Sequence, residues 1–421
     1  MNSKGDHYVK RRVVISGCGV VSPIGVGREN FWTSLTEGIR GGRLITGFHT
    51  DGYGTKIAAE VTDFKSHPFI EKEEWERMDT FAQYAMTAAL EGWEHAGLTQ
   101  LTHEPSRVGV IVGSSNGGDP FLHENHVNQL NGGEIDPHKH IGAMINNAPI
   151  QIARKIHATG PAYSMSTACA SGTNAIGEAF RYIQSDYADI MIAGGTDDGI
   201  QPLNMAGLDR IHAMSRRNEN PGSASRPFSE DREGFLMGAG AGMVVLEAYD
   251  HAVARGAEIL AEVVGYAATT DAYHITAPHP EGLLAAEAME KAMEEAGVSN
   301  VDYINAHGTG TKLNDEMEAK AIHLAFGPDG HRIPINAIKS MTGHMLGGSG
   351  AAEVVSTVLS IVHDLIPATV NTDPVDQKLR LNVVRGAPLH TSINVAMTNS
   401  FGFGGHNASL ILQDVKGDPY T

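Results

Sequence analysis

The chain has 421 residues, of which 41% are hydrophobic and 19% charged, and its formal net charge is −18 at pH 7. This composition predicts a globular protein with a sizeable core, and the acidic balance argues against a nucleic-acid binder, which needs a basic face. Its two cysteines exclude a disulfide scaffold and a four-cysteine zinc site, so we expect a cytoplasmic protein.

The first apolar run follows basic residues but is short and broken by Gly17, Gly19 and Pro23, which predicts a β-strand entering a turn rather than a signal peptide. No run of about 20 apolar residues occurs, so no membrane span is predicted. Short β-branched runs then alternate with segments of helical period, which predicts an α/β protein with largely parallel sheets. Strands are predicted at 12–16, 107–112, 163–166, 189–193, 242–246, 262–265, 303–305, 333–337 and 394–397, and helices at 80–96, 174–184, 281–296, 314–325 and 350–362.

One of the two cysteines stands in "STACASGTNAIGEAF", among small residues at the threshold of a predicted helix. Ile176, Phe180 and Ile183 form a buried helical stripe, which places Cys169 at or just before the first turn. Unpaired N–H groups and the helix dipole favour an anion there, so we expect a lowered thiol pKa and a reactive thiolate. Taken alone, an inert buried cysteine is the commoner interpretation.

Two histidines follow in glycine-rich surroundings. His307 stands at the end of a short strand in "NAHGTGTKLNDEMEAKAI", where it is either a residue of a cleft or a turn histidine without a task. Lys339 and His344 stand in "AIKSMTGHMLGGSGAAE", before a Gly/Ala-rich helix start that carries Glu353. That helix start either faces an anion or packs closely against another element, with two solvated cations before it.

The last motif is "NSFGFGGHNAS", whose Gly402, Gly404 and Gly405 predict a sharply turning backbone that offers N–H groups to a ligand. Its spacing does not fit a P-loop, and "GAGAGM" at 238–243 lacks the context of a dinucleotide fingerprint. Together, a cysteine, two histidines, a lysine and a glycine-rich loop are the groups that carbon–carbon bond formation on thioesters requires.

These motifs resemble those of the β-ketoacyl-(acyl carrier protein) synthases, specifically the elongating type II family with a Cys-His-His site, which includes the type II polyketide ketosynthases. The matching stretches are "TACASG", "NAHGTGTKLND", "KSMTGHMLG" and "NSFGFGGHNAS", in that order. With "SGCGVVSPIG", "ASRPF" and "REGFLMGAGAGMVVLE", the resemblance covers residues 13–412.

The resemblance implies a thiolase-like, five-layered αβαβα fold of two similar halves, which we place at residues 1–260 and 261–421. It implies no metal and no cofactor of the chain's own, because phosphopantetheine arrives on the acyl carrier protein. The expected partners are this carrier protein and a second subunit, in a homodimer or in a heterodimer with a cysteine-less homologue. No nucleic-acid or membrane partner is expected.

The resemblance also assigns roles to residues. Cys169 matches the nucleophile, His307 and His344 match the pair that promotes malonyl decarboxylation, and Lys339 matches the lysine that orders this pair. The N–H groups of Cys169 and Phe401 match the oxyanion hole, and Phe401 also matches the phenylalanine that gates the active site. Contacts to the phosphopantetheine arm or the substrate are implied at Thr309, Thr311, Gly402 and Gly404. Supporting charges are implied at Asp315, Glu318 and Glu353.

The implied reaction is a decarboxylative Claisen condensation of an acyl group on Cys169 with malonyl-acyl carrier protein, in fatty acid, polyketide or polyene synthesis. Two alternatives stay open. One is housekeeping fatty-acid elongation only. The other is a catalytically weak pairing or scaffold subunit of a heterodimeric synthase.

Two features depart from the fatty-acid pattern. Asn116 stands where those enzymes have an apolar residue at the acyl pocket, and Asn146 and Asn147 fall near the expected dimer seam. A buried amide without partners costs about 1–3 kcal/mol, which favours a polyketide or unsaturated acyl chain unless these amides pair with the backbone. The expected docking patch for the acidic carrier protein is also unusual. Lys72 and Arg77 stand among four glutamates, and Glu134 stands where the family often has a basic residue. Either docking uses a different patch, formed by Arg216, Arg217 and Lys139, or a second subunit supplies the positive charge.

Overall fold

The computed structural model describes residues 10–62, 64–65, 68, 70–99 and 103–416. Its strands are β1 (Val13–Ser22), β2 (Gly25–Val26), β3 (Arg43–Leu44), β4 (Ile57–Ala58), β5 (Val108–Gly113), β6 (Ala162–Met165), β7 (Ile190–Asp198), β8 (Ala239–Ala248), β9 (Ala261–Thr270), β10 (Tyr303–Asn305), β11 (Pro334–Asn336), β12 (Leu365–Ile366), β13 (Asn382–Val383), β14 (Leu389–His390), β15 (Val395–Gly402) and β16 (His406–Gln413).

Its helices are α1 (Arg28–Glu37), α2 (Lys72–Glu76), α3 (Thr80–His95), α4 (Asp119–Leu130), α5 (Pro137–Gly142), α6 (Asn147–Ile156), α7 (Ser171–Gln184), α8 (Pro202–Arg210), α9 (Tyr249–Ala254), α10 (Leu283–Ala296), α11 (Lys312–Phe326), α12 (Lys339–Thr342) and α13 (Gly347–His363). Each strand and helix predicted above overlaps an observed one. No helix in the described ranges is long and apolar enough to cross a membrane.

The strands form two five-stranded runs of the same design. The first has the order β6-β5-β7-β8-β1 and the second the order β11-β10-β15-β16-β9, with β13 beyond β11. In both runs the first two pairings are parallel and the last two antiparallel. The runs meet where β1 pairs with β9, at Val13 to Ile15. The repeated order confirms two similar halves.

The sheets are mixed rather than largely parallel, and this corrects the sequence prediction. A hairpin joins β15 to β16 through three residues, which forces these strands to be antiparallel. In the first half, the long connection between β7 and β8 brings β8 back antiparallel to its neighbour. The division of the chain at residue 260 stays a prediction, although β8 ends at Ala248 and β9 begins at Ala261.

Three layers of helices enclose these two runs. Helices α3 and α6 contact the outer face of the first run, α10 contacts β9 and β16 of the second run, and α11 packs against α10. Helices α7 and α13 lie between the runs, since α13 contacts both β8 and β15. A helix covered on all sides must be apolar or small all round, and residues 347–361 of α13 are all buried. This arrangement confirms the thiolase-like αβαβα fold.

Candidate active site

The predicted site residues meet at a cavity of about 560 Å³ between the two halves. Cys169 lies before α7, His307 follows β10, and His344 lies in the connection before α13. The site residues named from the sequence that line this cavity are Asn116, Cys169, His307, Thr309, Thr311, His344, Phe401 and Gly402. Lys339, Asp315, Glu318 and Glu353 lie behind the wall and are buried, and Gly404 is outside the lining.

Cys169 is held at the end of a strained turn. The preceding residue, Ala168, has φ of 49°, a left-handed conformation that few residues other than glycine adopt. The hydroxyl of Ser171 secures this turn, because it accepts from the Thr167 N–H at 2.8 Å and donates to the Ala168 carbonyl at 2.6 Å. The thiol thus lies just before the first turn of α7, as predicted.

The expected lowering of the thiol pKa is wrong. Burial raises the pKa of Cys169 to about 11, and the nearby carboxylate of Asp197 raises it further. The positive charge of Lys339 and two backbone N–H groups act in the opposite direction. Desolvation therefore outweighs the helix terminus, and the resting residue is a protonated thiol at neutral pH.

The N–H groups directed at the sulfur belong to Cys169 itself and to Phe403. The sequence interpretation named Phe401 instead. The ring of Phe401 is buried against His307, with ring centroids 5.8 Å apart, whereas Phe403 is 36% exposed. Gly402 lets this loop approach, because a Cβ there would lie 2.7 Å from the Thr167 carbonyl oxygen. Phe403 is therefore the residue that sequence reasoning missed.

His307 is positioned from behind by two buried charged residues. The carboxylate of Glu318 accepts the N–H groups of His307 and Gly308, each at 2.8 Å, and so fixes the turn after β10. The ammonium of Lys339 donates to the ring Nδ1 of His307 at 3.2 Å and to its carbonyl oxygen at 2.7 Å. Its third proton goes to the carboxylate of Glu353. Because Nδ1 accepts, we assign the ring proton of His307 to Nε2.

His344 has the same tautomer for a different reason. The hydroxyl of Ser349 accepts the N–H of Met345 at 2.8 Å and lies 2.9 Å from Nδ1 of His344. Because the buried Ser349 hydroxyl has no other acceptor among the described residues, we assign its proton to a hydrogen bond donated to Nδ1 of His344, which leaves the ring proton of His344 on Nε2. The two imidazole rings lie edge to face with centroids 5.5 Å apart.

Both imidazoles are neutral at physiological pH. Burial lowers the pKa of His307 and of His344 well below 6.5, and the charge of Lys339 lowers both further. Burial also raises the pKa of Glu353 to about 7, against the opposing effect of Lys339. The cavity therefore presents two neutral N–H donors in front of a buried lysine.

The threonines and Asp315 shape the turn that enters α11. Thr311 is the N-cap of α11, where its hydroxyl accepts the Asn314 N–H at 3.3 Å, and its hydroxyl lies 3.0 Å from that of Thr309. The buried carboxylate of Asp315 accepts the N–H groups of Phe228 at 2.7 Å and Gly310 at 3.2 Å. Asp315 thus supports the backbone and does not reach the cavity.

The acyl side of the cavity contains polar atoms without partners. The side-chain nitrogen of Asn116 and the hydroxyl of Ser115 are buried and have no hydrogen-bond partner among the described residues. The side-chain oxygen of Asn147 is also buried without a hydrogen-bond partner among the described residues, but Asn147 does not line the cavity. Side-chain pairing with the backbone, the alternative considered from the sequence, therefore does not account for the amide nitrogen of Asn116.

Asp197, at the end of β7, is a second residue that sequence reasoning missed. It is fully buried, and its carboxylate accepts bonds from the loop after β5 and from the Gly347 N–H at the start of α13. It thereby links the acyl wall to the segment after His344. The stretch "AGGTDD" gave no signal of this role, because the donors are three backbone N–H groups and the Ser114 hydroxyl, all distant in the sequence.

Comparisons with known proteins identify the family of the chain. The model of the β-ketoacyl synthase N-terminal domain matches residues 10–252, and that of the C-terminal domain matches residues 260–373. Proteins named 3-oxoacyl-[acyl-carrier-protein] synthase 2 from Synechocystis sp. and Coxiella burnetii are each 42% identical, over 95% and 96% of this chain and 97% and 99% of their own.

Two solved structures are similar over nearly the whole chain. One is a type II polyketide ketosynthase in complex with its acyl carrier protein and bound to the hexaketide, with 32% identity, a TM-score of 0.89 and coverage of 97% of this chain and 100% of that one. The other is the ishigamide ketosynthase/chain length factor, with 35% identity, a TM-score of 0.90 and coverage of 96% and 99%. The resemblance inferred from the motifs is thus confirmed, and this chain belongs to the β-ketoacyl synthase family.

Proposed function

We propose that this chain condenses an acyl group, held as a thioester on Cys169, with malonyl-acyl carrier protein, and releases CO2 and a β-ketoacyl-acyl carrier protein. The observation that carries the proposal is the convergence of the Cys169 thiol with two neutral Nε2–H donors, those of His307 and His344, in one cavity. The reaction needs no metal and no cofactor of the chain's own, because phosphopantetheine arrives on the carrier protein.

The first step is acyl transfer to Cys169. The sulfur attacks the carbonyl carbon of the incoming thioester, and the thiol proton leaves with the departing phosphopantetheine sulfur. The step therefore takes up and releases no net proton. The N–H groups of Cys169 and Phe403 face the sulfur and are our candidates for holding the tetrahedral oxyanion, in place of the Phe401 N–H expected from the sequence.

The second step uses the histidine pair. Loss of CO2 from the malonyl group leaves an enolate, whose oxygen accepts the Nε2–H groups of His307 and His344. The enolate carbon attacks the Cys169 thioester, and the tetrahedral intermediate collapses to the β-ketoacyl product and a Cys169 thiolate, which takes a proton from water. Lys339 holds His307 in the donating tautomer, with Glu353 and Glu318 as supporting charges.

The partners and compartment are also proposals. We propose a dimer through the side formed by edge strand β6 and residues 119–150, where Leu122, Leu130, Ile141 and Met144 are exposed. Whether the second subunit is a copy of this chain or a cysteine-less homologue follows from native mass spectrometry of the purified complex. The low cysteine content supports the cytoplasm as the compartment.

We further propose an oxygenated or unsaturated acyl substrate. Because the Asn116 amide nitrogen and the Ser115 hydroxyl have no partners, a purely alkyl chain would leave both unpaired, at about 1–3 kcal/mol each. A carbonyl or hydroxyl oxygen on the acyl chain would accept from them. Comparable kcat/KM for saturated C8–C14 and for polyenoyl or β-ketoacyl carriers would contradict this proposal and favour housekeeping elongation.

Replacement of Cys169 tests the reaction. Cys169→Ala removes the acyl acceptor but leaves the histidine pair intact, so we expect condensation to stop while malonyl-carrier still releases CO2. Intact mass of the wild-type chain after incubation with an acyl thioester should increase by one acyl group, and that of the variant should not. Condensation by the variant at the wild-type rate would refute the scheme, and an unacylated wild-type chain would favour the scaffold role.

A further inference from the structure

The turn that carries Cys169 is held by more than its own hydrogen bonds. The bonds of the Ser171 hydroxyl lie inside the turn, so they close it but do not fix where it lies in the protein. A residue in the left-handed region, such as Ala168, keeps that conformation only where the surrounding structure holds it. The side chain of Thr167, directly before Ala168, makes the contacts that provide this second support.

Asn174 connects Thr167 to the body of α7. Its side chain is buried, and its NH2 group donates to the Thr167 hydroxyl at 2.7 Å. Its backbone N–H donates to the Ala170 carbonyl at 2.9 Å, which fixes the residue within the helix. A displacement of Thr167 would therefore leave a buried amide without its acceptor, which is unfavourable.

The other end of the Asn174 amide is held from the second strand run. Its Oδ1 accepts from the hydroxyl of Tyr266, on β9, at 2.9 Å. Burial raises the pKa of Tyr266, so this hydroxyl stays protonated and can donate. The tyrosine comes this close because α7 has a glycine opposite it: a Cβ at Gly177 would lie 2.3 Å from the Tyr266 ring.

Tyr266 is itself firmly anchored. Its N–H donates to the carboxylate of Glu295 at 3.1 Å, and its carbonyl accepts from the guanidinium of Arg181 at 2.8 Å. A functional group is positioned precisely only when the groups behind it are fixed in turn. The hydrogen bonds of Tyr266 and Asn174 thus extend this support from a sheet strand to the turn before the nucleophile.

The position of Thr167 determines the direction of an N–H group that acyl transfer uses. The Thr167 carbonyl accepts from the Ala170 N–H at 3.1 Å and faces Gly402 in the next loop. Between these two residues, the N–H of Cys169 leaves the same turn and is directed at the sulfur, as is the N–H of Phe403. Movement of Thr167 would therefore rotate one of the two candidate oxyanion donors relative to the other.

We propose that Asn174 is a positioning residue for acyl transfer. Anchored by Tyr266, it fixes the turn at Thr167 and thereby aims the backbone N–H of the nucleophile at the developing oxyanion. This inference rests on the proposed condensation and adds to it three residues that do not line the cavity. Because the histidine pair is held by other groups, these residues should affect acyl transfer and leave decarboxylation unchanged.

The test compares Thr167→Val with Thr167→Ser in the full-length protein. Valine has nearly the shape of threonine but no oxygen for the Asn174 amide, whereas serine keeps the hydroxyl. Intact mass measures the acylation of Cys169 by hexanoyl- and hexadienoyl-N-acetylcysteamine. We expect Thr167→Val to lower the maximal rate about tenfold at an unchanged half-saturating concentration, part of the roughly 100- to 1,000-fold that loss of an oxyanion donor costs. Thr167→Ser should keep the wild-type rate.

Tyr266→Phe tests the far end of this support. It removes the hydroxyl and keeps the ring, and we expect a smaller slowing, because Asn174 keeps its bond to Thr167. Since both variants act through Asn174, the double variant should be no slower than Thr167→Val alone. The control is Glu178→Ala, which removes the other acceptor near the Tyr266 hydroxyl and should leave the acylation rate unchanged.

A second readout separates positioning from a general loss of structure. In a Cys169→Ala background, the Thr167→Val substitution should not change CO2 release from malonyl-acyl carrier protein, because His307 and His344 are held by other groups. Wild-type acylation of Thr167→Val, equal slowing in Thr167→Ser or Glu178→Ala, multiplied effects in the double variant, or a parallel loss of CO2 release overturns the proposal. If the wild-type chain takes no acyl group from either thioester, the proposed condensation itself has failed, which is a distinct outcome.

Discussion

Asp197→Asn tests whether one buried carboxylate fixes the acyl wall of the cavity. Oδ1 of Asp197 accepts from the Ser114 hydroxyl at 2.7 Å and the Asn116 N–H at 3.1 Å. Oδ2 accepts from the Ser115 N–H at 2.9 Å and the Gly347 N–H at 2.7 Å. A carboxylate has about four lone-pair sites, so all of them are used.

The cost of the substitution follows from this geometry. Asparagine keeps a single acceptor oxygen, and in the Oδ2 position it retains the bonds from Ser115 and Gly347. Its NH2 group then faces the Ser114 hydroxyl, which can accept, and the Asn116 N–H, which cannot. One buried N–H loses its acceptor, so we expect the free energy of unfolding to fall by about 1–3 kcal/mol. The opposite orientation would strand two N–H groups and is disfavoured.

The substitution also removes a charge that acts on the nucleophile. The carboxylate of Asp197 raises the pKa of the Cys169 thiol, so its loss must lower that pKa. Below the thiol pKa, alkylation follows the thiolate fraction, and the variant should therefore react faster with iodoacetamide at a given pH. The assay measures inactivation rates from pH 8 to 10, where the wild-type Asp197 is ionised, together with urea unfolding.

The neighbouring acid provides the control. Asp198 lies one position along β7, and burial raises its pKa to about 7. Asp198→Asn should leave the alkylation profile of Cys169 unchanged, because Asp198 is not among the charges that shift this thiol. If Asp197→Asn unfolds at the wild-type urea concentration and is alkylated with the wild-type pH profile, the assigned role of Asp197 is wrong.

Three further predictions concern the same cavity. Because burial and Lys339 keep the pKa of His307 and His344 well below 6.5, the imidazole NMR signals of these two residues in the Cys169→Ala variant should show no protonation from pH 8 to about 6, and a titration centred at pH 6.5 would contradict this. Glu318→Gln keeps one acceptor oxygen for the two backbone N–H groups of His307 and Gly308, so we expect the free energy of unfolding to fall by about 1–3 kcal/mol and CO2 release to slow. Wild-type urea unfolding and a wild-type rate of CO2 release would contradict this role of Glu318. Asn116→Ile should raise kcat/KM for saturated acyl carriers relative to β-ketoacyl carriers, whose chain oxygen can accept from the amide, and an unchanged ratio would show that the amide does not select the chain.

The sequence predicted the core elements well because their burial patterns are strong. Strands such as β5 and β7 are continuous β-branched and apolar runs, and α7 has a clear helical stripe. Strand β16 was missed because "NSFGFGGHNAS" was interpreted as a loop throughout. Gly404 and Gly405, with φ of 88° and 76°, instead make a tight turn between two long strands.

The sequence predicted those parts of the site in which the residue type itself carries the chemistry. It did not predict those that depend on the direction of a backbone N–H or on the depth of burial. Cys169, His307 and His344 stood out by type and context. The choice between Phe401 and Phe403 depends on which backbone N–H the hairpin turns towards the sulfur, and a motif with two phenylalanines cannot specify that. The thiol pKa was misjudged because the helix terminus is readable in the sequence and the depth of burial is not.

The charge states around the cavity suit a reaction that passes through anions. The malonyl carboxylate loses its charge as CO2 leaves, so a charged imidazolium would stabilise this ground state and add to the barrier. Neutral Nε2–H donors on His307 and His344 avoid this effect and still bind the enolate oxygen. Lys339 provides a fixed positive charge behind His307, and it pairs there with the carboxylate of Glu353 before any substrate is present. The lowered histidine pKa values are thus a property that the proposed decarboxylation requires.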